Sequence, residues 1–142
     1  MNVAIIGAGT MGLEIANQLL KNTKIEEVIA TRRNISELQK LSGAKLKVTS
    51  DNNLAVKAVE IVILAVRPQE MKKVITEISE SILSSQIMVS ISVGIELRFY
   101  EKLLPNNPWV RIMPNPFIDS SLGTIAFSKN ANVTNTQITT IQ

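Results

Sequence analysis

The sequence contains no cysteine and no histidine, and aromatic residues make up only 4% of its 142 residues. Without cysteine, disulfides and thiolate chemistry are excluded, which suits a reducing compartment. Without histidine, a Ser-His-Asp triad, an imidazole base and a His-ligated zinc ion are excluded, and we expect no metal site. The scarcity of aromatic side chains argues against a surface that stacks nucleic-acid bases.

Long apolar runs and an N-terminal targeting pattern are also missing. The longest apolar run, residues 61–66, is too short to span a bilayer, and Met1 leads directly into a strand pattern without a basic leader. The net charge of +3 is dispersed in pairs such as Arg32-Arg33. Such pairs are typical of a solvated surface, with an anionic ligand at one of them as the alternative. These features predict a cytoplasmic protein with no nucleic-acid or membrane partner.

Short apolar runs alternate with longer amphipathic runs along the chain. Continuous apolar runs such as "IVILAV" (61–66) indicate strands buried on both faces, as in a parallel sheet covered by helices. The alternation predicts an α/β fold of the Rossmann type, with a doubly wound, mostly parallel sheet and helices on both faces. The predicted strands are 3–6, 27–31, 45–49, 61–66, 87–92 and 109–113, with 124–128 as an antiparallel last strand. The predicted helices are 10–21, 36–41, 52–59, 68–82 and 96–103.

Residues that start helices support this assignment. Ser36 and Asp51 are residue types that cap helices well; Ser36 precedes Glu37, and Asp51 stands directly before the run that begins at Asn52. Pro68 suits the first turn of the helix after the fourth strand. We therefore expect helix starts at these three positions.

The stretch "IIGAGTMG" (5–12) carries three glycines spaced as G-x-G-x-x-G. It follows an apolar strand and opens a helix at the first strand-helix turn, which is the context of a dinucleotide-binding loop. Gly7 would permit the tight turn, Gly9 the approach of a pyrophosphate, and Gly12 the close packing of helix on strand. The amides of Ala8, Thr10 and Met11 lie with that of Gly9 at the helix N-terminus, where an anion is favoured. The alternative is a tight turn that binds nothing.

The end of the second strand indicates which dinucleotide is bound. An NAD site places an acidic residue about 20 residues beyond the loop, but this chain has Thr31, Arg32 and Arg33 there. A guanidinium offers a planar fork of donors that suits a 2′-phosphate. We therefore predict NADPH in preference to NADH, with Arg32 as the first choice of ligand. The alternative is a solvated basic turn.

Five segments together resemble the pyrroline-5-carboxylate reductase family. They are "IIGAGTMG" (5–12), "TSDNNLAV" (49–56), "VILAVRPQEM" (62–71), "SISVG" (90–94) and "VRIMPNP" (110–116), in order and over nearly the whole chain. The resemblance implies hydride transfer from NAD(P)H to a cyclic imine carboxylate, 1-pyrroline-5-carboxylate, giving L-proline in proline biosynthesis. It leaves the oligomeric state open, with a homo-oligomer as one outcome.

The resemblance also implies positions for further cofactor contacts. Asn52 matches a family residue near the adenosine end, although helix capping beside Asp51 explains it equally well. The loop of Ala65, Val66, Arg67 and Pro68 matches the segment along the nicotinamide riboside, with a plain strand-to-helix turn as the alternative. Val93 and Asn115 match positions that border the nicotinamide. All these loops follow predicted strands, where ligands bind in such sheets.

The chain also departs from the family pattern. Arg67 stands where the family commonly has lysine, and Asn115 is followed directly by Pro116 without the usual threonine. We expect residues 1–130 to form the NAD(P)-binding domain, residues 131–142 to be the truncated start of a further element, and the family's helical domain for dimerisation and substrate binding to be absent from this chain. The catalytic residues remain unknown, since Glu14, Asp51, Glu70 and Asp119 are better explained as surface or capping residues.

Two alternatives to this function remain. One is another NAD(P)-dependent dehydrogenase of the β-hydroxyacid, prephenate or F420-NADP reductase type, and the other is a nucleotide-sensing relative without turnover. The "ILAVRPQ" and "MPN" segments favour a pyrroline-5-carboxylate reductase over the other dehydrogenases. The missing helical domain favours weak or no activity for this short chain by itself.

Overall fold

The computed structural model of the protein describes residues 1–113 and 126–141. Strands and helices alternate along the chain. The strands are β1 (Asn2–Ile6), β2 (Glu27–Thr31), β3 (Leu46–Thr49), β4 (Ile61–Leu64), β5 (Ile87–Ser90), β6 (Trp109–Met113) and β7 (Ala126–Lys129). The helices are α1 (Thr10–Lys21), α2 (Ser36–Gln39), α3 (Asn52–Val56), α4 (Pro68–Ile78), α5 (Leu97–Leu103) and α6 (Asn135–Ile141).

The strands form one sheet in the order β3-β2-β1-β4-β5-β6-β7. All neighbouring pairs are parallel except β6 and β7, which pair antiparallel with Val110 opposite Lys129. The predicted Rossmann-type sheet and its antiparallel last strand are therefore confirmed. The strand order reverses its direction of growth between β1 and β4, which places the loop after β1 at a topological switch point where α/β sheets bind ligands.

Two apolar layers cover the two faces of the sheet. On one face, Val3 and Ile5 of β1 pack with Ala16 of α1 and with α6. On the other face, Ala4 and Ile6 pack with α3, α4 and α5. Alternate residues of β1 thus enter different cores, as the twofold side-chain period of a strand dictates. Helices lie on both faces, so the strands need apolar residues throughout.

The ends of several helices differ from the sequence-based boundaries. Asp51 caps α3 as predicted, since its Oδ1 accepts from the Leu54 N–H at 3.0 Å, and Pro68 occupies the first turn of α4. The prediction for Ser36 is wrong, because Ile35 is the N-cap of α2. Asn34 Oδ1 instead accepts from the Ser36 N–H at 3.1 Å, which turns the chain before the helix.

The last predicted segment forms a helix that packs on the sheet. Val133 is buried, and Ile138 and Ile141 of α6 pack against the same core as β1. Thr134 Oγ1 accepts from the Gln137 N–H at 3.2 Å, and Gln137 Oε1 accepts from the Thr134 N–H at 2.9 Å. This reciprocal pair is a capping box, a T-x-x-Q signal that marks the start of α6. Among helices within residues 1–113 and 126–141, none has both the length and the apolar character to cross a bilayer.

Candidate dinucleotide-binding cleft

A cleft of about 610 Å³ opens at the carboxyl ends of β1, β2 and β4. The three strands are neighbours in the sheet, so the loops that follow them meet at one edge. The cleft is lined by these loops and strand ends, by the first residues of α1 and α3 with the loop before α3, and by two residues from the first two turns of α4. The lining residues are Ile6, Gly7, Gly9, Thr10, Thr31, Arg32, Arg33, Asn34, Ser50, Asn52, Ala65, Val66, Arg67, Glu70 and Val74.

The three loop glycines meet different surroundings. Gly7 has a φ of +82°, and a Cβ there would overlap the Val66 side chain. A Cβ on Gly12 would lie 3.3 Å from both the Ala65 Cβ and Ile5 Cγ2, so this glycine permits close packing of α1 on the sheet. A Cβ on Gly9 would meet only the Gly7 carbonyl oxygen, at 4.0 Å. The protein itself therefore leaves space above Gly9, which is what a bound pyrophosphate requires.

Backbone amides at the loop divide into two groups. The Ala8 N–H donates to the Thr31 carbonyl at 2.7 Å, and the Gly9 N–H donates to the Gly7 carbonyl at 2.7 Å. These two amides therefore serve the loop itself, contrary to the expectation that they face an anion. Gly9 caps α1 without any side-chain acceptor, which leaves the amides of Thr10 and Met11 in the first helical turn for an anion.

A hydrogen-bonded chain of side chains fixes the glycine loop to β2 and α3. Thr31, only 1% exposed, accepts from the Gly7 N–H at 3.3 Å and donates to Asn52 Oδ1 at 2.6 Å. Asn52 Nδ2 then donates to Glu77 Oε1 at 3.2 Å. Asn52 is the first residue of α3 and Asp51 is its cap, so the capping interpretation of Asn52 is wrong. Both Thr31 and Asn52 hold the cleft's shape through contacts within the protein.

Basic side chains gather at the cleft, on the loops after β2 and β4. Arg32 and Arg33 follow β2, and the Arg32 N–H donates to the Thr49 carbonyl at 3.3 Å, which ties this turn to β3. Arg33 Nη2 forms an ion pair with Glu70 Oε1. Arg67 is exposed, and no other described residue forms an ion pair with it. The cleft is thus rich in cationic donors, with Glu70 as the carboxylate among them.

A second group of hydroxyls supports the neighbouring loop after β5. Ser92 Oγ donates to the Val66 carbonyl at 2.8 Å, which joins the loops after β4 and β5. Ser90 Oγ and the Tyr100 hydroxyl lie 2.6 Å apart within the core. Burial raises the pKa of Tyr100, while the Ser90 hydrogen bond and the nearby Arg111 charge oppose that rise. The tyrosine therefore stays neutral and acts as a structural hydrogen-bond partner.

The cleft brings together most of the predicted cofactor ligands but not all of them. Those that line it are Gly7, Gly9, Thr10, Thr31, Arg32, Arg33, Asn52, Ala65, Val66 and Arg67. Ala8 is buried in the core, Gly12 is buried where α1 packs on the sheet, and Met11 and Pro68 are exposed beside the cleft without lining it. Val93 is 67% exposed in the loop after β5 and does not line the cleft. Asn115 and Asp119 lie outside the described residues.

Sequence reasoning missed part of the lining. Ile6, Asn34, Ser50 and Val74 contribute to the walls, and Glu70 reaches the cleft from the first turn of α4. The sequence could have indicated Glu70, since it lies three residues after the loop that follows β4 and thus near the carboxyl edge of the sheet. Its contact with Arg33 depends on β2 and β4 flanking β1, which only the strand order reveals.

A family model described as "NADP oxidoreductase coenzyme F420-dependent" matches residues 2–94. The chain belongs to this family. The matched residues run from β1 through the loop after β5 and so include every element that lines the cleft. The family description names NADP, in agreement with an NADP-type nucleotide domain.

Among curated relatives and solved structures, the chain is similar to one more specific group of enzymes. The chain is 34% identical over 142 residues to the pyrroline-5-carboxylate reductase of Methanosarcina acetivorans, covering 91% of this chain and 50% of that protein. A pyrroline-5-carboxylate reductase structure from Coxiella burnetii matches with a TM-score of 0.87 and 26% identity, covering 99% of this chain and 53% of the other. The predicted resemblance to this group is confirmed.

Another solved structure supports the fold. The Plasmodium falciparum pyrroline carboxylate reductase with NADP bound has a TM-score of 0.84 and 24% identity, over 99% of this chain and 52% of that one. The chain spans between about a fifth and about half of the length of the curated relatives it matches. The likeness therefore concerns only the matched part of the longer proteins, and it does not assign their activity to this chain.

Proposed function

We propose that this chain is the dinucleotide-binding unit of a reductase of the pyrroline-5-carboxylate type and that it binds NADPH in the cleft after β1, β2 and β4. The observation that carries the proposal is the space above Gly9. A Cβ at this position would meet no atom closer than 4.0 Å, although the loop around it is tightly packed. A glycine with open space beside it at a helix N-terminus is well suited to a pyrophosphate.

The residues present fit a nicotinamide dinucleotide along the whole cleft. The pyrophosphate would lie on the amides of Thr10 and Met11, where no side chain caps α1. The adenosine end would lie between the turn of Arg32 and Arg33 and the first turn of α4, near Asn52. Ala65, Val66 and Arg67 would border the riboside further along, with Val93 and Asn115 proposed for the nicotinamide itself. The bound cofactor supplies the hydride, and the chain supplies its position.

A preference for NADPH over NADH is part of the proposal. The turn after β2 carries two arginines where an NAD site carries a carboxylate. A 2′-phosphate placed there would gain a charge-assisted hydrogen bond. The P. falciparum relative was solved with NADP bound, which agrees with this preference.

The substrate proposed is a cyclic imine carboxylate, 1-pyrroline-5-carboxylate, reduced at its C=N bond to L-proline. This follows the curated relatives, which are pyrroline-5-carboxylate reductases. Residues 1–130 are proposed as the nucleotide domain, and the substrate is proposed to bind with help from a further domain, as expected from the sequence. A second candidate has support from the family description, which names coenzyme F420. In that case F420 exchanges the hydride with NADP in place of the imine.

Nucleotide titration tests the proposal. NADPH and NADH are titrated by fluorescence into the wild-type chain, Arg32→Ala and the control Lys102→Ala, which removes the same charge from the last turn of α5. Losing a charge-assisted contact of about 1.5–3 kcal/mol lowers NADPH affinity about 10- to 150-fold. We expect that loss for Arg32→Ala with NADPH, little change with NADH, and no effect of Lys102→Ala.

Two outcomes would contradict the proposal. Equal NADPH affinity for wild type and Arg32→Ala would remove Arg32 from the site. No binding of either nucleotide by the wild-type chain would contradict the dinucleotide site itself. Oxidation of bound NADPH by 1-pyrroline-5-carboxylate, and not by oxidised F420, in the presence of a helical substrate domain separates the two candidate substrates.

A further inference from the structure

The Arg33–Glu70 ion pair crosses the candidate cleft. Arg33 belongs to the turn after β2, and Glu70 to the first turn of α4 after β4. β1 lies between β2 and β4 in the sheet, and the glycine loop follows β1. The pair therefore joins the two loops that flank the glycine loop, and both of its side chains line the cleft.

The ion pair adds little to folding, because it is largely exposed. The Arg33 side chain is 82% exposed and the Glu70 side chain 34%, and ion pairs between solvated side chains contribute little to stability. Glu70 also suits its position without Arg33, since the first turn of a helix favours an acidic residue. The contact therefore matters mainly in the cleft, where Glu70 holds the Arg33 guanidinium beside the proposed nucleotide site.

We propose that Glu70 is a specificity-determining residue that competes with the 2′-phosphate of NADPH for Arg33 and so moderates the preference for NADPH over NADH. This inference rests on the proposed nucleotide site. A phosphate monoester carries more negative charge than a carboxylate and accepts bidentate hydrogen bonds from arginine. Binding of NADPH thus exchanges the carboxylate for the phosphate on Arg33, while NADH leaves the ion pair intact.

The exchange limits the gain from the 2′-phosphate. Freeing Arg33 costs the ion pair, and the displaced carboxylate remains in the same cleft and repels the phosphate. An exposed pair corresponds to about a two- to fivefold change in affinity. Removing the Glu70 charge should therefore tighten NADPH binding by about two- to fivefold and leave NADH binding nearly unchanged.

A double-mutant cycle tests this inference. NADPH and NADH dissociation constants are measured by fluorescence for wild type, Glu70→Gln, Arg33→Ala and the double variant, at low and at moderate salt. Glu80→Gln is the matched control, because it removes the same charge from an exposed position just past the far end of α4. We expect Glu70→Gln to tighten NADPH binding more in the wild-type background than in the Arg33→Ala background, where only the repulsion by the carboxylate is removed, and more at low salt, where screening is weaker.

Each other outcome has a distinct meaning. Unchanged or weaker NADPH binding in Glu70→Gln, with wild type binding NADPH normally, overturns the competition and leaves the nucleotide site standing. Equal tightening in the Arg33→Ala background overturns the role of the ion pair, because the carboxylate then acts by general repulsion alone. Equal tightening by Glu80→Gln overturns it for the same reason. Failure of the wild-type chain to bind NADPH overturns this inference together with the proposed function.

Discussion

Gly7 and Gly9 lie two residues apart in the same loop, yet the protein restricts them differently. At Gly7 both the backbone, with φ at +82°, and the adjacent Val66 side chain exclude any larger residue. At Gly9 the backbone has φ −78° and ψ −157°, an extended conformation that alanine adopts, and the space beside it is open. Folding therefore requires Gly7, and a ligand is the remaining reason for Gly9.

Gly9→Ala should separate binding from stability. We expect the free energy of unfolding to stay within about 0.5 kcal/mol of wild type, because the new methyl group meets no atom of the protein closer than 4.0 Å. The same methyl group would crowd the pyrophosphate, so NADPH affinity should fall at least about tenfold. Urea unfolding and NADPH titration of one preparation provide both values. A destabilised Gly9→Ala that still binds NADPH normally would contradict this assignment.

Gly7→Ala should mainly affect stability. A positive φ costs a residue with a Cβ about 1–2 kcal/mol, and overlap with Val66 adds a similar amount. We expect a total loss of about 3 kcal/mol in urea unfolding. Gly94→Ala is a matched control with φ +81° and open space, which should lose only the backbone part. Gly43→Ala, with neither restriction, should be nearly neutral.

At the scale of elements, local signals predicted which segments become helices and strands better than where those elements end. β2, β6 and α1 match their predicted bounds. β4 ends at Leu64, and the apolar Ala65 and Val66 leave the ladder to form the cleft wall. α4 ends at Ile78, although Ile82 continues the apolar pattern and still packs on the core. Apolar periodicity indicates which residues are buried, and such residues also occur in turns and in the cleft wall, outside helices and strands.

In α6, the sequence pattern that indicates a helix lies at its N-cap. Its residues are polar and β-branched, which disfavours a helix on propensity alone. The Thr134–Gln137 capping box and the packing of Ile138 and Ile141 compensate for this. A T-x-x-Q pattern before an isoleucine was visible in the sequence and could have identified the helix.

Thr134→Ala should weaken the attachment of α6. Loss of an N-cap hydroxyl costs about 1 kcal/mol, and the effect should appear as a lower free energy of unfolding and faster amide exchange over residues 135–141. Thr136→Ala is the control, since this threonine is exposed on the same helix and alanine is the better helix former. Equal destabilisation by both variants would indicate that the capping box contributes nothing specific.

At the scale of the whole molecule, the order of the strands creates the candidate site. The sequence predicts a doubly wound sheet, and the glycine loop and arginines suggest a nucleotide, but no local pattern states that β2 and β4 flank β1. That order brings Arg33 and Glu70 within contact across the loop. Asn52 likewise combines a helix start with a contact to Thr31 that joins two strand ends. Such long-range contacts depend on topology, so sequence patterns alone did not reveal them.

A crystal structure of this chain grown with saturating NADP tests the proposed nucleotide site without the help of any variant. We predict the pyrophosphate above Gly9, within hydrogen-bond distance of the Thr10 and Met11 amides, and the 2′-phosphate at the guanidinium groups of Arg32 and Arg33, with Glu70 displaced from Arg33. A nucleotide bound elsewhere, or a glycine loop whose open face stays empty at saturation, would contradict the proposed site.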